Sequence, residues 1–218
     1  TARAREEIAD MQKVMDEDIA AGLLPAGSKI EPWDWWYYAE KVRKIKYDLD
    51  DEEVKPYFQL DSVRKGVFLA AKELYGVQME ELHGVPAYNP DCVQTFKVTD
   101  ADGSLLGIFT TDYLPRDSKR GGAWMNNVRD QYVDASGNDV RPIIVNVGNL
   151  AENMNVDQVQ TVFHEFGHAL HGLLTQCHYP SVSGTGVTRD FVEMFSQFNE
   201  NWAFQPSLLA RYAHNEAN

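Results

Sequence analysis

Apolar residues recur every three or four positions through the first 20 residues, which predicts an opening helix. The same spacing predicts two further helices, one that begins near Pro32 and Asp34 and one from Val63 to Tyr75 that ends at Gly76. The second helix is dense in tryptophan and tyrosine, and we interpret those rings as core packing rather than as a ligand-stacking surface. Residues 1–80 are therefore predicted to be helical.

The pattern changes between residues 91 and 147. Val93–Val98 and Leu105–Tyr113 have the composition of strands and flank a turn sequence, so they predict a hairpin. Arg141–Val147 is typical of a buried strand. Helical spacing returns over residues 156–214. Together these segments predict a single mainly α domain, of class α+β, with a small antiparallel β-sheet between its helices.

The overall charge excludes one class of partner. The 218 residues carry a formal net charge of −13, a surface that repels phosphate backbones, so nucleic acid is not expected as a partner. No run reaches the roughly 18 apolar residues of a membrane span, and no export signal opens the chain, so no membrane association is expected. Cys92 and Cys177 are far apart, which predicts no disulfide framework and favours the cytoplasm, with the periplasm as the alternative. The oligomeric state has no signal in the sequence.

Two histidines and a glutamate lie together on the predicted helix from Val156 to Leu174. His164 and His168 are four residues apart on one face, the spacing that places two imidazoles on one tetrahedral zinc ion. Glu165 is rotated by roughly 100° from His164, so it lies beside the ion rather than on it. There its carboxylate could take a proton from an attacking water and pass it to the departing amine. The sequence therefore predicts a hydrolytic zinc site with Glu165 as the general base.

Such a site needs a third protein ligand. The residues alone favour Glu193, a carboxylate among apolar positions of the next predicted helix, where burial without a partner would be costly. Glu200 lies on a similar face of that helix and is the alternative; if Glu193 binds the metal, Glu200 could accept a hydrogen bond from a ligand histidine. Asp190 is the third choice. His171, three residues after His168, is expected to face the same cleft as a neighbour rather than as a ligand.

Longer motifs extend this constellation. The helix carries His164–Gly172 (HEFGHALHG), followed by Ser183–Thr185 (SGT) and by Asp190–Trp202, which contains DFVE and NE. Together these motifs resemble the thimet-oligopeptidase family of zinc metallopeptidases. Lys119–Met125 (KRGGAWM) is most similar to the bacterial peptidyl-dipeptidase branch of that family. The resemblance covers the chain from about Asp48 to its end, as in a fragment of a longer protein.

The resemblance implies a fold and a ligand set. Relatives have a zincin-like catalytic domain, a mostly helical ellipsoid with a deep channel and a small sheet beside the metal. One Zn²⁺ per chain would be held by His164, His168 and Glu193, with Glu165 as the general base. Glu200 would then lie behind the ligands and orient one of the histidines.

The same resemblance implies where a peptide would bind. Gly122, Ala123 and Trp124 would lie on a strand that pairs with substrate backbone, which gives affinity without reading side chains. The alternative is an ordinary packed strand. His171 is a further candidate for substrate contact, and short peptides are the expected partners.

Three departures from the family pattern qualify these expectations. Phe195 stands where relatives commonly have proline, and we expect a local packing change there without loss of the metal. The connection from Val147 to His164 is several residues shorter than in relatives. The chain ends at Asn218, before a Gly-, Tyr- and His-rich segment that lies across the cleft in relatives, so the C-terminal part of the active site is expected to be absent.

The predicted function is that of a zinc-dependent metallopeptidase that releases C-terminal dipeptides from short peptides. An oligopeptidase that cleaves internally in short peptides is the alternative within this class. A non-catalytic zinc-binding fragment is the alternative from another class.

Overall fold

A computed structural model describes residues 1–47 and 51–215, apart from the side chain of Asp51. The chain divides into two compact units, Thr1–Val54 and Lys55–Asn218. The expectation that the whole chain is part of a single catalytic domain stays a prediction. Within the described ranges, no helix combines the length and the apolar character needed to cross a membrane.

The first unit is helical, as predicted. Helix α1 (Ala2–Ala20) is capped at its start by Thr1, whose hydroxyl accepts a hydrogen bond from the amide of Ala4. A 3₁₀ turn over Pro32–Asp34 leads into α2 (Trp35–Tyr47), and a single helical turn, α3, covers Asp51–Val54. The predicted helix start near Pro32 is therefore confirmed.

Most aromatic residues at the start of α2 do not pack in a core, so our interpretation of them was wrong. Tyr38 is buried against Met11 and Met15 of α1, but Trp33 and Trp36 are each 78% exposed. Five aromatic residues occupy the six positions from 33 to 38. Because a helix turns by about 100° per residue, adjacent rings point to different sides, and only one side meets α1.

The second unit contains the remaining helices and all the described strands. Its helices are α4 (Leu60–Tyr75), α5 (Val156–Leu173), α6 (Arg189–Glu200) and α7 (Pro206–Tyr212), with 3₁₀ turns at Lys55–Tyr57 and Pro180–Val182. Helix α4 ends at Gly76 as predicted, because that residue adopts a left-handed conformation (φ 77°) that suits glycine.

In the described residues, seven strands form two sheets. The strands are β1 (Gln78–Glu81), β2 (Val93–Thr99), β3 (Leu105–Asp112), β4 (Trp124–Arg129), β5 (Tyr132–Val133), β6 (Asp139–Val140) and β7 (Ile143–Val147). The larger sheet has the order β1-β2-β3-β7-β4, and β5 pairs with β6 alone. The predicted hairpin is the antiparallel pair of β2 and β3.

Two details of the predicted sheet were wrong. Strand β1 lies at the end of the range predicted to be helical, because Gln78–Glu81 pairs with β2 and this long-range pairing overrides a weak local pattern. The sheet is also not wholly antiparallel, since β3 and β7 run parallel. The chain leaves β3, forms β4 on the far side of β7, and only then enters β7. Because this connection is a crossover and not a hairpin, β7 runs in the same direction as β3.

Helix α5 packs against one face of the larger sheet. Phe163 and Phe166 of the helix are 0–1% exposed, as are Phe109 of β3 and Ile144 of β7. The rings of Phe109 and Phe166 meet edge to face with centroids 5.5 Å apart. This packing fixes the orientation of the helix that carries the two histidines.

Candidate metal site

Helix α5 presents both histidines on the face turned towards α6. Its start is fixed by a capping box, in which the side chain of Asn155 accepts from the amide of Gln158 at 2.9 Å and the side chain of Gln158 accepts in return. The rings of His164 and His168 are one turn apart, with centroids separated by 5.0 Å. The four-residue spacing therefore has the geometric effect that the sequence predicts.

Gly167 allows α6 to approach α5 closely. A Cβ atom at this position would lie 2.7 Å from Cα of Ser196 and 2.8 Å from the carbonyl oxygen of Phe195, closer than real Cβ contacts. The side chain of Asn199 also donates to the carbonyl oxygen of Phe163 at 2.6 Å, which ties the two helices together. This close packing brings Glu193 on α6 within reach of the α5 histidines.

Three side chains converge on one point. Oε2 of Glu193 lies 3.2 Å from Nε2 of His164 and 3.2 Å from Nε2 of His168. The ligand atoms of all three residues lie within 4.8 Å of one another, and no other group of this kind occurs in the described part of the chain. Two imidazole nitrogens and one carboxylate oxygen are the donor set of a zinc site that keeps one position open. These residues could hold a zinc ion.

The ionisation states favour metal binding as well. Burial lowers the pKa of His168 below that of an ordinary histidine. A hydrogen bond from the hydroxyl of Ser196 at 2.8 Å lowers the pKa of Glu193. A neutral imidazole and an ionised carboxylate are the forms that bind a metal, so both shifts, at His168 and at Glu193, favour binding.

Glu200 lies behind His164. Its Oε1 is 2.6 Å from Nδ1 of His164, on the side of the ring away from Glu193, and its Oε2 accepts from Gln160 at 2.6 Å. A carboxylate at Nδ1 keeps the proton on that nitrogen and leaves Nε2 free as a donor atom for a metal. The structure thus separates the two alternatives for the third ligand, with Glu193 at Nε2 and Glu200 at Nδ1. Asp190, the third choice, is exposed and lies outside the cluster.

Glu165 is buried between the helix and strand β4. It is 8% exposed, and burial raises the pKa of its carboxyl group, with the charge of Glu193 acting in the same direction. The charge of His164 and the backbone amide of Met125, on β4, act in the opposite direction but do not cancel this rise. A carboxyl group whose pKa is raised towards neutrality is suited to accept and return a proton.

The predicted substrate strand is shorter than expected. Trp124 is the first residue of β4, while Gly122 and Ala123 precede the strand, so the prediction that all three lie on it was wrong. Gly122 has a φ of 94°, which an extended strand does not allow, and its carbonyl oxygen accepts from Asn149 at 2.8 Å. Trp124 is 38% exposed. In the described part of the chain, β4 is an outer strand of its sheet.

His171 lies apart from the three converging residues. Its ring packs on Phe195 with centroids 4.0 Å apart, and the two rings line a cavity of about 370 Å³. Burial lowers its pKa, and its Nδ1 has no hydrogen-bond partner among the described residues. Phe195, where the family resemblance led us to expect proline, thus contacts His171 rather than the three converging residues.

Two contacts to this site escaped prediction from the sequence. Ser196 donates to Glu193, and its position three residues later on the same helix was an available signal. The proximity of the Met125 amide to Glu165 had no such signal, because a backbone group carries no mark in the sequence.

Comparison with known proteins places the chain in a family. Residues 1–218 match the model of a family described as Peptidase family M3. The dipeptidyl carboxypeptidase of Escherichia coli (strain K12) is 42% identical over 221 residues, which cover 98% of this chain and 31% of that protein. Oligopeptidase A of the same organism is 38% identical over 226 residues, which cover 91% of this chain and 33% of that protein. The chain therefore spans about a third of the length of these curated relatives.

Proposed function

The chain belongs to peptidase family M3, and on that premise we propose that it is the metal-binding part of a zinc-dependent metallopeptidase acting on short peptides. The observation that carries this proposal is the convergence of His164, His168 and Glu193 on one point. When bound there, zinc supplies a Lewis acid that polarises the scissile carbonyl group and makes water more acidic.

The remaining chemistry falls to side chains of this chain. Glu165 accepts the proton of the attacking water and then donates it to the departing amine. The buried position of its carboxyl group supports this role, because burial raises the pKa above that of an ordinary glutamate and so makes the carboxylate a stronger base. Glu200 holds the ring of His164 in one orientation through the 2.6 Å contact at Nδ1.

The first candidate activity is release of dipeptides from the C-terminus. Its support is the 42% identity to dipeptidyl carboxypeptidase, together with the KRGGAWM segment at Lys119–Met125. The second is internal cleavage of short peptides, supported by the 38% identity to oligopeptidase A. Mass spectra of the products from one nonapeptide would separate them, as successive losses of two residues from the C-terminus or as internal fragments. The cytoplasmic location stays a prediction.

Substitution Glu165→Gln tests the proposed reaction. In the zinc-loaded protein at its full natural length, the variant should bind as much zinc as the unaltered protein but lose turnover by a factor on the order of 10²–10⁴, the usual contribution of a general base. Glu80→Gln, at an exposed position on β1, is the matched control and should leave the rate unchanged. Zinc content is read by metal analysis and turnover by release of peptide products. Undiminished cleavage by Glu165→Gln would sink the assignment.

A further inference from the structure

The ammonium group of Lys119 is buried at one end of the larger sheet. The side chain is 4% exposed, although it belongs to a polar loop that precedes two glycines. It donates to the carbonyl oxygen of Asp112 at 2.8 Å, to the carboxylate of Asp112 at 3.1 Å, to the carbonyl of Leu114 at 2.8 Å, and to the carbonyl of Gly148. An ammonium group has three N–H donors, so these oxygens use its full capacity. Lys119 therefore fastens the segment after β3 to the segment after β7.

A second side chain fastens the approach to β4. Asn149, two residues after the end of β7, donates to the carbonyl oxygens of Arg120 and Gly122 at 2.6 and 2.8 Å. These two carbonyls lie on either side of Gly121, whose own position leaves open space around it. Because glycine residues are conformationally flexible, the path of this segment depends on the two hydrogen bonds from Asn149.

Lys119 and Asn149 act at the same level of the sheet, where three neighbouring strands have directly paired residues. In the strand register, Asp112 of β3 is opposite Val147 of β7, and Val147 is opposite Trp124 of β4. Lys119 and Asn149 thus hold the chain at the point where β4 begins. A displacement there moves β4 along or away from its partner strand.

Strand β4 also contacts the candidate site. The amide of Met125 acts on the carboxyl group of Glu165, and the end of the Met125 side chain lies 3.1 Å from the position of a Cβ atom on Gly172 of α5. The place of β4 therefore decides both where an extended peptide would meet the sheet edge and how the strand approaches Glu165.

We propose that Lys119 and Asn149 are positioning residues that hold β4 as a preformed binding edge for the peptide substrate. This inference rests on the proposed function, since it assumes that a peptide binds along β4 beside the metal. Neither side chain needs to touch the substrate. They remove the cost of ordering the edge when the peptide arrives.

This role predicts a particular kinetic pattern. Backbone pairing along an edge strand is present in the bound ground state and is kept in the transition state, so its loss raises KM and leaves kcat nearly unchanged. The metal ligands lie on α5 and α6, so zinc content should not change. General damage to the fold would instead lower kcat and zinc content together.

The experiment measures KM, kcat and zinc content of Lys119→Met and Asn149→Ala in the zinc-loaded protein at its full natural length, with a hexapeptide as substrate. We expect KM to rise about tenfold, corresponding to the loss of one or two net hydrogen bonds, with kcat changed less than about threefold. Lys97→Met, on β2, which is separated from β4 by both β3 and β7, is the matched control. Lys119→Arg keeps the charge but presents a planar group in place of the compact ammonium. Its KM should therefore lie between that of the unaltered protein and that of Lys119→Met.

The outcomes are distinct. If Lys119→Met does not fold, Asn149→Ala decides, because its side chain is only half-buried and its loss leaves the buried ion pair intact. A KM that is unchanged in Asn149→Ala, or a fall in kcat and zinc content together, overturns the positioning role. Absence of any chelator-sensitive cleavage by the unaltered protein would instead overturn the proposed function itself.

Discussion

Substitution Gly167→Ala tests whether close packing of two helices assembles the metal site. The added methyl group would meet Cα of Ser196 at 2.7 Å and the carbonyl oxygen of Phe195 at 2.8 Å. Both atoms belong to the backbone of α6 and cannot rotate away. Helix α6 must therefore retreat by about 0.7 Å to reach 3.4 Å, where ordinary contact begins.

Two effects on stability oppose each other. Alanine in place of glycine favours the helix by about 1 kcal/mol, whereas overpacking costs about 1–3 kcal/mol. The net loss of stability should thus be small, within about 2 kcal/mol. The effect on the metal site is larger, because Glu193 moves with α6 and ligand distances must hold to within about 0.2 Å. We expect zinc affinity to fall at least tenfold, about 1.4 kcal/mol.

Competition with a chromophoric chelator measures this affinity, and thermal unfolding of the metal-free protein measures stability. Gly121→Ala is the matched control, since a Cβ atom there meets nothing within 4 Å, and its zinc affinity should be unchanged. An unaltered zinc affinity in Gly167→Ala would refute the argument that this contact sets the position of Glu193. A Gly167→Ala protein that no longer unfolds cooperatively would show instead that overpacking costs more than the ~3 kcal/mol assumed above.

Two further predictions concern the charges of Glu200 on α6 and Asp112 at the end of β3. Glu200→Gln keeps the shape but removes the charge at Nδ1 of His164, so zinc affinity should fall about 10-fold in chelator competition, and no change would contradict the orienting role. Burial alone would raise the pKa of Asp112, but hydrogen bonds from Arg116 and two neighbours outweigh it and hold the pKa below the usual 3.8. The stability contributed by its ionised form is thus present above about pH 3.8 and is lost as the pH falls through the lower folded-state pKa. Asp112→Asn should therefore lower the free energy of unfolding at neutral pH by about 3 kcal/mol and flatten its decline in acid, as urea unfolding across a pH series would show.

The helices and the placement of His164 and His168 on one face were predictable because they follow from spacing along one element. The choice between Glu193 and Glu200 was not, since the two carboxylates lie seven residues apart on a similar face of α6. Only the position of α6 against α5 puts one at Nε2 and the other at Nδ1. The residues alone left that choice open, and the family resemblance favoured Glu193.

The burial of the Lys119 side chain could not be predicted from the sequence. A lysine in a polar loop is ordinarily a solvated side chain, and nothing in the local sequence marks it as bonded to the ends of two strands. The parallel pairing of β3 and β7 is of the same kind, because it depends on where an intervening strand is placed. Hydrophobic periodicity is a local signal, so it does not predict features that depend on contacts between distant segments.

The proposed metal ligands and the proposed binding edge come from different parts of the chain. The three converging side chains and Glu200 all lie between residues 164 and 200, on two helices in direct contact. The edge strand precedes them and is held by bonds from Lys119 and Asn149 at the end of the sheet. Variants of the first group should therefore change zinc affinity without a selective effect on KM, and variants of the second should do the reverse. Because the two groups act on different quantities, a double variant of Gly167 and Asn149 should show the two single losses side by side, one in zinc affinity and one in KM, without a further fall in kcat.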